Sequence, residues 1–303
     1  MKLITWNIQW CRGVDGRVDP RRIIEHARAL ADFDVLCLQE VAANFPALAG
    51  SSGENQFAML AELLPDYLPV PGAAVDTPAP DGSRRVFGNL ILSRLPVRQV
   101  LRVQLPWPAD PANKGMPRML LDATIEAPFG PLRVMTTHLE YYSPMQRAMQ
   151  VEAIRARHAE AFGQARLSRV ADDSSGPFHT FAQPASAILT GDFNFLPEDP
   201  CHARMQERFE RLEDLDLVDA AADGAGQEPA ADRPPTLVDA WRHVHPGLPH
   251  VFTNGVHDRA QWPAPYTCDF IYVSEDLLGR VRALQVDGQT QASDHQPVLI
   301  ELD

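Results

Sequence analysis

The chain has only four cysteines in 303 residues (Cys11, Cys37, Cys201 and Cys268), scattered and without a CxxC pair. That excludes a disulfide framework and points to free thiols in a reducing compartment. Lysine is nearly missing, Lys2 and Lys114 being the only two, so almost all positive charge is arginine. This usage suits bidentate phosphate contacts, although genomic codon bias explains it more simply. The net charge of −13 leaves no basic footprint of the kind a nucleic-acid coat protein needs. It does not exclude an enzyme acting on phosphates, because bound cations reverse the local field. No apolar run approaches the length of a membrane span. No basic, apolar leader precedes the strand-like segment Lys2–Trp6, so a cytoplasmic protein is expected. A GxxxxGK[ST] loop and a GxSxG elbow are both missing, and Ser293-Asp294-His295 are chain neighbours that cannot form a serine-hydrolase triad. His243, His245, His250 and His257 lack zinc-motif spacing and are expected on the surface.

What is present is ample apolar content, 45%, enough for one core spanning residues 1–303 as a single domain. Buried strands are expected at Leu3–Trp6, Asp34–Leu38, Val86–Ser93, Ala187–Leu189, Asp269–Val273 and Pro297–Leu302, with a hairpin from Met119–Ala127 and Pro131–Thr137. Asp19-Pro20 reads as an N-cap with proline in the first turn of a helix running to about Ala31. Further helices are expected at Asn55–Leu64 and about Pro144–Leu167, with Met145, Met149 and Ile154 as a core face, and a short one through Glu207. Residues 71–85, 170–185 and 221–235 read as loops, and Leu215–Val218 as a strand.

The polar residues at the strand ends carry the geometry. In Thr190-Gly191-Asp192-Phe193-Asn194, the period-two alternation of a strand puts Asp192 and Asn194 on one side. Asn7, Glu40, His138, Asp192 and Asn194 sit where strands finish, whereas Asp269, Asp294 and His295 sit where strands begin. They share one rim only if the last strands run opposite to others. The expected fold is therefore α/β (α+β): a four-layer sandwich of two packed mixed or antiparallel sheets flanked by helices. Each residue alone has an ordinary reading, a turn Asp, a capping Asn or a solvated Glu, and it is the set that changes the odds. Carboxylates brought so close repel unless a cation neutralises them, and oxygen ligands suit Mg²⁺ or Mn²⁺ better than Zn²⁺. Beside amides and imidazoles, such an ion serves in-line attack of water on phosphorus.

Trp6-Asn7, Gln39-Glu40, Gly88-Asn89-Leu90-Ile91-Leu92-Ser93-Arg94, Thr137-His138-Leu139, Gly191-Asp192-Phe193-Asn194, Asp269-Phe270-Ile271 and Ser293-Asp294-His295-Gln296-Pro297 occur in one order along residues 3 to 302. That ordered set resembles the endonuclease/exonuclease/phosphatase superfamily, which takes in pancreatic-type deoxyribonucleases, abasic-site endonucleases, neutral sphingomyelinases, inositol polyphosphate 5-phosphatases and deadenylases. The resemblance implies Glu40 as the principal metal ligand, with Asn7 and Asp294 beside it. It implies Asp192 and Asn194 on the attacking water, Asp269 aligning His295 at the phosphoryl group, and His138 stabilising the oxyanion or the leaving group. Whether Asp192 or His295 is the base stays open. Asn89 and Arg118 are candidate substrate contacts. Two departures, Gln9 where abasic-site enzymes carry an acid and the presence of His138, point away from that branch, and Thr267-Cys268 replaces an Arg-Ile or Arg-Leu pair before Asp269. The expectation is a Mg²⁺- or Mn²⁺-dependent phosphoesterase acting by default on DNA or RNA. Phospholipid headgroups, nucleotides and inositol phosphates are alternative substrates, and a non-catalytic phosphate-binding module is the rival class. No protein partner is expected.

Overall fold

The computed structural model describes residues 1–166, 171–181, 183–210 and 233–303. The expected strand at 215–218 lies outside them, as does most of the loop expected at 221–235. One sheet is built from β1 (Lys2–Asn7), β2 (Val35–Ala43), β3 (Leu68–Pro78), β4 (Arg84–Ser93), β11 (Val281–Val286) and β12 (Val298–Leu302), in the order β11-β12-β1-β2-β4-β3. The other is built from β5 (Val97–Gln104), β6 (Met119–Ala127), β7 (Gly130–His138), β8 (Ala187–Asp192), β9 (Leu237–Asp239) and β10 (Asp269–Ser274), in the order β5-β6-β7-β8-β10-β9. Each sheet has one parallel pair, β1 with β2 and β7 with β8, and is otherwise antiparallel.

Alternation along the strands assigns the two faces. Leu3, Val35, Cys37 and Ile91 of the first sheet meet Leu121, Val134, Ile188 and Ile271 of the second in the central core. Their chain neighbours Ile4, Leu36 and Leu38 point outward to α1 (Pro20–Leu30) and α2 (Gln56–Leu63), through Ile23, Ile24, Ala27 and Leu60. Leu120, Met135, Leu189 and Tyr272 point the other way, to α3 (Pro144–Arg166) and α4 (Pro200–Met205). The four-layer sandwich follows from this two-sided burial. A polar pin crosses between the sheets, since buried Gln39 donates from Nε2 to Thr5 Oγ1 (3.1 Å) and to Thr136 Oγ1 (2.8 Å). No described helix is long and apolar enough to cross a membrane.

The helix starts follow their local chemistry. Asp19 accepts from the backbone of Arg21 and Arg22 ahead of Pro20, and Asn55 accepts from Ala58. Two expectations fail for physical reasons. Residues 71–85 are largely strand, because β3 is an edge strand, where Pro69, Pro71 and Pro78 forfeit no ladder bond that a central strand would need. Met145 and Met149 are each 43% exposed; α3 instead buries Gln146, Arg147 and Gln150 along with Val151 and Ile154. Those polar side chains brace the chain after β7: Arg147 Nη1 donates to the carbonyls of Glu140 (2.8 Å) and Tyr141 (3.0 Å), and Gln150 Oε1 accepts from Glu140 N–H (2.9 Å). The described end of the segment expected as an exposed loop at 221–235 has no helix or strand, but Pro234 and Pro235 are buried, with the Pro235 carbonyl bonded to His158 Nε2.

Candidate active site

The end of β1 presents Asn7, fully buried, whose Nδ2 donates to Glu40 Oε1 (3.1 Å) and Asp192 Oδ2 (2.8 Å). One amide thus bridges the two sheets' carboxylates. Glu40 reaches this position because the β2–β4 register shifts between Leu38 and Val41, a bulge at which Glu40 takes φ +60°. Asp192 closes β8, directly opposite Asp269 of β10 in register. The glycine before it is obligatory: Gly191 has φ +143°, and a Cβ there would lie 2.0 Å from the Thr137 carbonyl oxygen. His138, at the end of β7, places Nε2 3.5 Å from Asp192 Oδ2 and Nδ1 4.0 Å from Glu40 Oε1. Asn194 also has positive φ (+51°) and donates its Nδ2 to the Leu139 carbonyl, while its N–H bonds Asp192 Oδ1 at 3.0 Å.

His295 enters from the segment before β12. Trp6 Nε1 holds its carbonyl at 2.9 Å, and Ser293 Oγ donates to the Asn7 carbonyl at 2.8 Å, so this segment is laced to β1. Its Nδ1 meets Asp269 Oδ2 at 2.8 Å, and its Nε2 lies 3.7 Å from Asp192 Oδ2. Asp294 Oδ2 accepts three bonds, from Gln9 Nε2 (2.9 Å), Gln261 Nε2 (3.1 Å) and Trp262 Nε1 (2.9 Å). Arg118 is buried, paired through Nε with Glu140 Oε2 at 3.3 Å, and its Nη1 has no protein partner. Glu40, Arg118, His138, Asp192, Asn194, Asp294 and His295 floor an open cleft of about 260 Å³ whose walls include Trp10, Phe87, Tyr141, Tyr142, Trp262 and Tyr266; Asn7 and Asp269 are not among its lining residues. Asn89 is not among its lining residues: it is buried and donates to the Met119 carbonyl at 3.4 Å. Of the six described non-glycine residues with positive φ, four (Gln9, Trp10, Glu40 and Asn194) line this cleft, so backbone strain is concentrated there.

Burial is the largest influence on every shifted pKa in this cluster. Burial, reinforced by the Asp294 charge and partly offset by the Asn7 hydrogen bond, pushes Glu40 up to about 7. Burial likewise lifts Asp192 to about 6, with Asp269 adding to the rise and His295 opposing it. His138 is driven well below the ordinary imidazole range by burial and by the positive Arg118 and His295, so it stays neutral. For His295 burial opposes the charge, but Asp269 and Asp192 outweigh it and raise the imidazole well above its ordinary range. Ligand atoms of Glu40, His138 and Asp192 lie within 4.8 Å of one another. Nearly all the residues singled out from sequence therefore meet at one place, with Asn89 set behind it. The sequence reading missed Asn254, whose Nδ2 is 2.7 Å from His295 Nε2, and it missed the aromatic walls. Only the pair Tyr141-Tyr142, directly after the Thr-His-Leu-Glu run, carried a signal in the chain.

The family model for the endonuclease/exonuclease/phosphatase family matches residues 4–295. The chain belongs to that family. Among solved structures, an endonuclease/exonuclease/phosphatase from Beutenbergia cavernae is 26% identical (TM-score 0.61) over 100% of this chain and 71% of that one. A mannosyl-6-phosphatase from Bacteroides thetaiotaomicron is 17% identical (TM-score 0.63) over 100% and 99%, and a humanized D. rerio TDP2 is 16% identical (TM-score 0.58) over 100% and 98%. Among curated proteins, none matches. The family's members are phosphate-ester hydrolases with this sandwich architecture.

Proposed function

We propose that the protein is a divalent-metal-dependent phosphoesterase that hydrolyses a phosphodiester by in-line attack of water. The observation that carries this reading is the convergence of Glu40, His138, Asp192 and His295 on the floor of one cleft, with buried Asn7 beneath them bonded to Glu40 and Asp192. The donors present fit a hard cation. Two buried carboxylates keep raised pKa values even with Arg118 and His295 nearby, and Mg²⁺ or Mn²⁺ would neutralise them; Asn7 faces both through Nδ2, its Oδ1 accepting from Gln9 N–H at 3.1 Å. Glu40 would hold it with Asn7, Asp294 contributing its charge from beside them. The ion supplies neutralisation of these carboxylates and polarisation of the phosphoryl oxygen.

The protein's own groups divide the rest of the work. Asp192 takes the proton of the attacking water, and His295, whose protonated form Asp269 and Asp192 favour, serves as a donor. The amide nitrogen of Asn194 is spent on Leu139, which leaves its Oδ1 to orient that water. His295, held by Asp269, and the unpartnered Nη1 of Arg118 donate to the non-bridging phosphoryl oxygens as their charge grows. Neutral His138 donates from one ring nitrogen to the oxyanion; the P–O bond opposite the water then breaks, and the departing alkoxide takes its proton from solvent while Asp192 returns the one it received to solvent. The default substrate is a nucleic-acid or nucleotide phosphodiester. The test is hydrolysis of bis-p-nitrophenyl phosphate with Mg²⁺ or Mn²⁺, with and without chelator. Turnover that is abolished by chelation and in Glu40→Gln supports the reading. An inert wild type under every metal would instead favour the phosphate-binding module.

A further inference from the structure

Above the carboxylates, the cleft holds a second set of groups that phosphate hydrolysis alone does not call for. Tyr142, Tyr141, Trp262 and Tyr266 form a continuous arc, with successive ring centroids 4.8, 6.3 and 5.7 Å apart and interplanar angles of 88°, 68° and 75°. Edge-to-face packing covers a face of only one ring in each pair. Tyr141 and Tyr142 accordingly remain 42% and 44% exposed, and Trp10 and Phe87 add further rings to the cleft lining. The arc is held in place before any ligand arrives. Trp262 Nε1 is bonded to Asp294 Oδ2, and the Trp262 side chain lies over Gly255, where a Cβ would come within 2.6 Å of the Trp262 Cβ. Gly255 has φ +68°, so glycine suits both the turn and the contact.

Positive charge is sparse and local. The Lys114 ammonium sits 4.4 Å from the Tyr142 ring centroid, and Arg118 lies at the floor. In a chain of net charge −13, the cations named at the cleft are Arg118 and His295 on its floor and Lys114 beside Tyr142, a local cluster rather than the extended basic stripe that a duplex backbone calls for. A cleft of about 260 Å³ falls slightly below the usual range for small-molecule pockets, which matches one nucleoside better than a helix. Affinity must then come from stacking, which every nucleobase supplies through its π-face.

We infer that the Tyr141–Trp262 arc is a nucleobase-stacking subsite, so that the substrate is a nucleoside-bearing phosphoester, a nucleotide or an unpaired strand end. This rests on the phosphoesterase reading above. In it, Asp294 has a second duty: it fixes Gln9, Gln261 and Trp262, and so couples the floor to the wall.

The test compares kcat/KM for thymidine 5′-(p-nitrophenyl phosphate) and methyl p-nitrophenyl phosphate, two diesters with one leaving group, and titrates tryptophan fluorescence with thymidine 5′-monophosphate and with a hexose 6-phosphate. The expected preference for the thymidine ester is about ten- to a hundredfold. Tyr141→Ala should pull that ratio toward one, Tyr141→Phe should keep it, and the nucleotide should quench at lower concentration than the sugar phosphate. Equal kcat/KM on the two esters, or equal or tighter binding of the sugar phosphate, overturns the subsite while the hydrolase reading stands. If neither ester is cleaved, the hydrolase reading fails, and the fluorescence titration still decides the subsite.

Discussion

Among the described residues, Asp192 and Asp239 are each buried beside two imidazoles, and the two clusters behave oppositely. At the cleft, Asp192 lies 3.5 Å from His138 and 3.7 Å from His295, and its pKa is raised to about 6. Behind β10, Asp239 accepts from His202 Nε2 (3.2 Å) and His250 Nε2 (2.6 Å) through Oδ2, and caps α5 (Ala240–Val244) by accepting from Trp241 N–H at 2.9 Å. Burial would raise Asp239 too, but the two histidine hydrogen bonds outweigh it and hold the carboxyl well below its usual range. Gln206 completes that knot, donating to His202 Nδ1 at 3.2 Å and accepting from Asp239 N–H at 3.1 Å, which leaves the His202 proton on Nε2 for Asp239. So although His202, Asp239 and His250 have ligand atoms close enough to hold a metal, the hydrogen-bond pattern spends them on one another. The difference lies in satisfaction. A buried acid with enough donors joins structural elements, whereas acids sharing too few donors keep a demand for charge that a ligand fills. The same comparison corrects the expectation of four surface histidines: His243 alone is exposed, while His245, His250 and His257 are half-buried and each bonded to a carbonyl or to Asp239.

The largest effect that tests this contrast is on turnover. Glu40→Gln and Asp192→Asn should each lower kcat/KM on a phosphodiester by about 10²–10⁴-fold, with a midpoint of urea unfolding no lower than wild type. Unfolding well below wild type would mean that these acids hold the fold together, and the contrast would break. Next comes Asp239→Asn, which leaves two buried imidazoles competing for a neutral amide. It should cost about 3 kcal/mol in urea unfolding, with kcat/KM of the folded fraction retained. A loss of turnover as deep as that of Glu40→Gln would place the knot in the chemistry.

The third test is linkage. Glu40 takes up its proton near pH 7 in the folded chain and near pH 4.5 in the unfolded one, so the folded state binds more protons in between. Stability contributed by this group is therefore full below about pH 4.5 and falls as pH rises to about 7. Mg²⁺ at about a hundred times its Kd should add about 2.7 kcal/mol at about pH 8 and less at about pH 5, where the proton competes. Thermal unfolding with and without chelator reads this, and a larger gain at the lower pH would contradict it. The smallest effect belongs to Asn89→Ala, which should cost about 1 kcal/mol and change kcat/KM less than about twofold, because its amide faces Met119 and not the cleft.

Local chemistry made much of the site legible. Apolar strands ending in Asn7, His138 and Asp192, and others beginning at Asp269 or just after His295, announce one rim, which Glu40 joins from a bulge inside β2 rather than from the expected strand end; the alternation of Leu3 with Ile4 or Val35 with Leu36 announces a sheet buried on both faces. The elements that escaped notice are those whose stability comes from neighbours. β3 is a proline-bearing edge, and β5 and β11 border their sheets with half-exposed patterns such as Val97–Gln104. α3 looks like a helix packed by methionine until Arg147 and Gln150 find the carbonyls and amide of Glu140 and Tyr141.

By itself, then, the amino-acid order fixed which side chains stand at strand ends, because period-two alternation and turn chemistry are local. Only the tertiary structure decided which buried acid is hungry for charge and which is content. That depends on donors 37 residues away at His202, in the case of Asp239, or 185 away at Asn7, in the case of Asp192. Hydrogen-bond satisfaction is a property of the assembled neighbourhood, and no spacing along the chain encodes it.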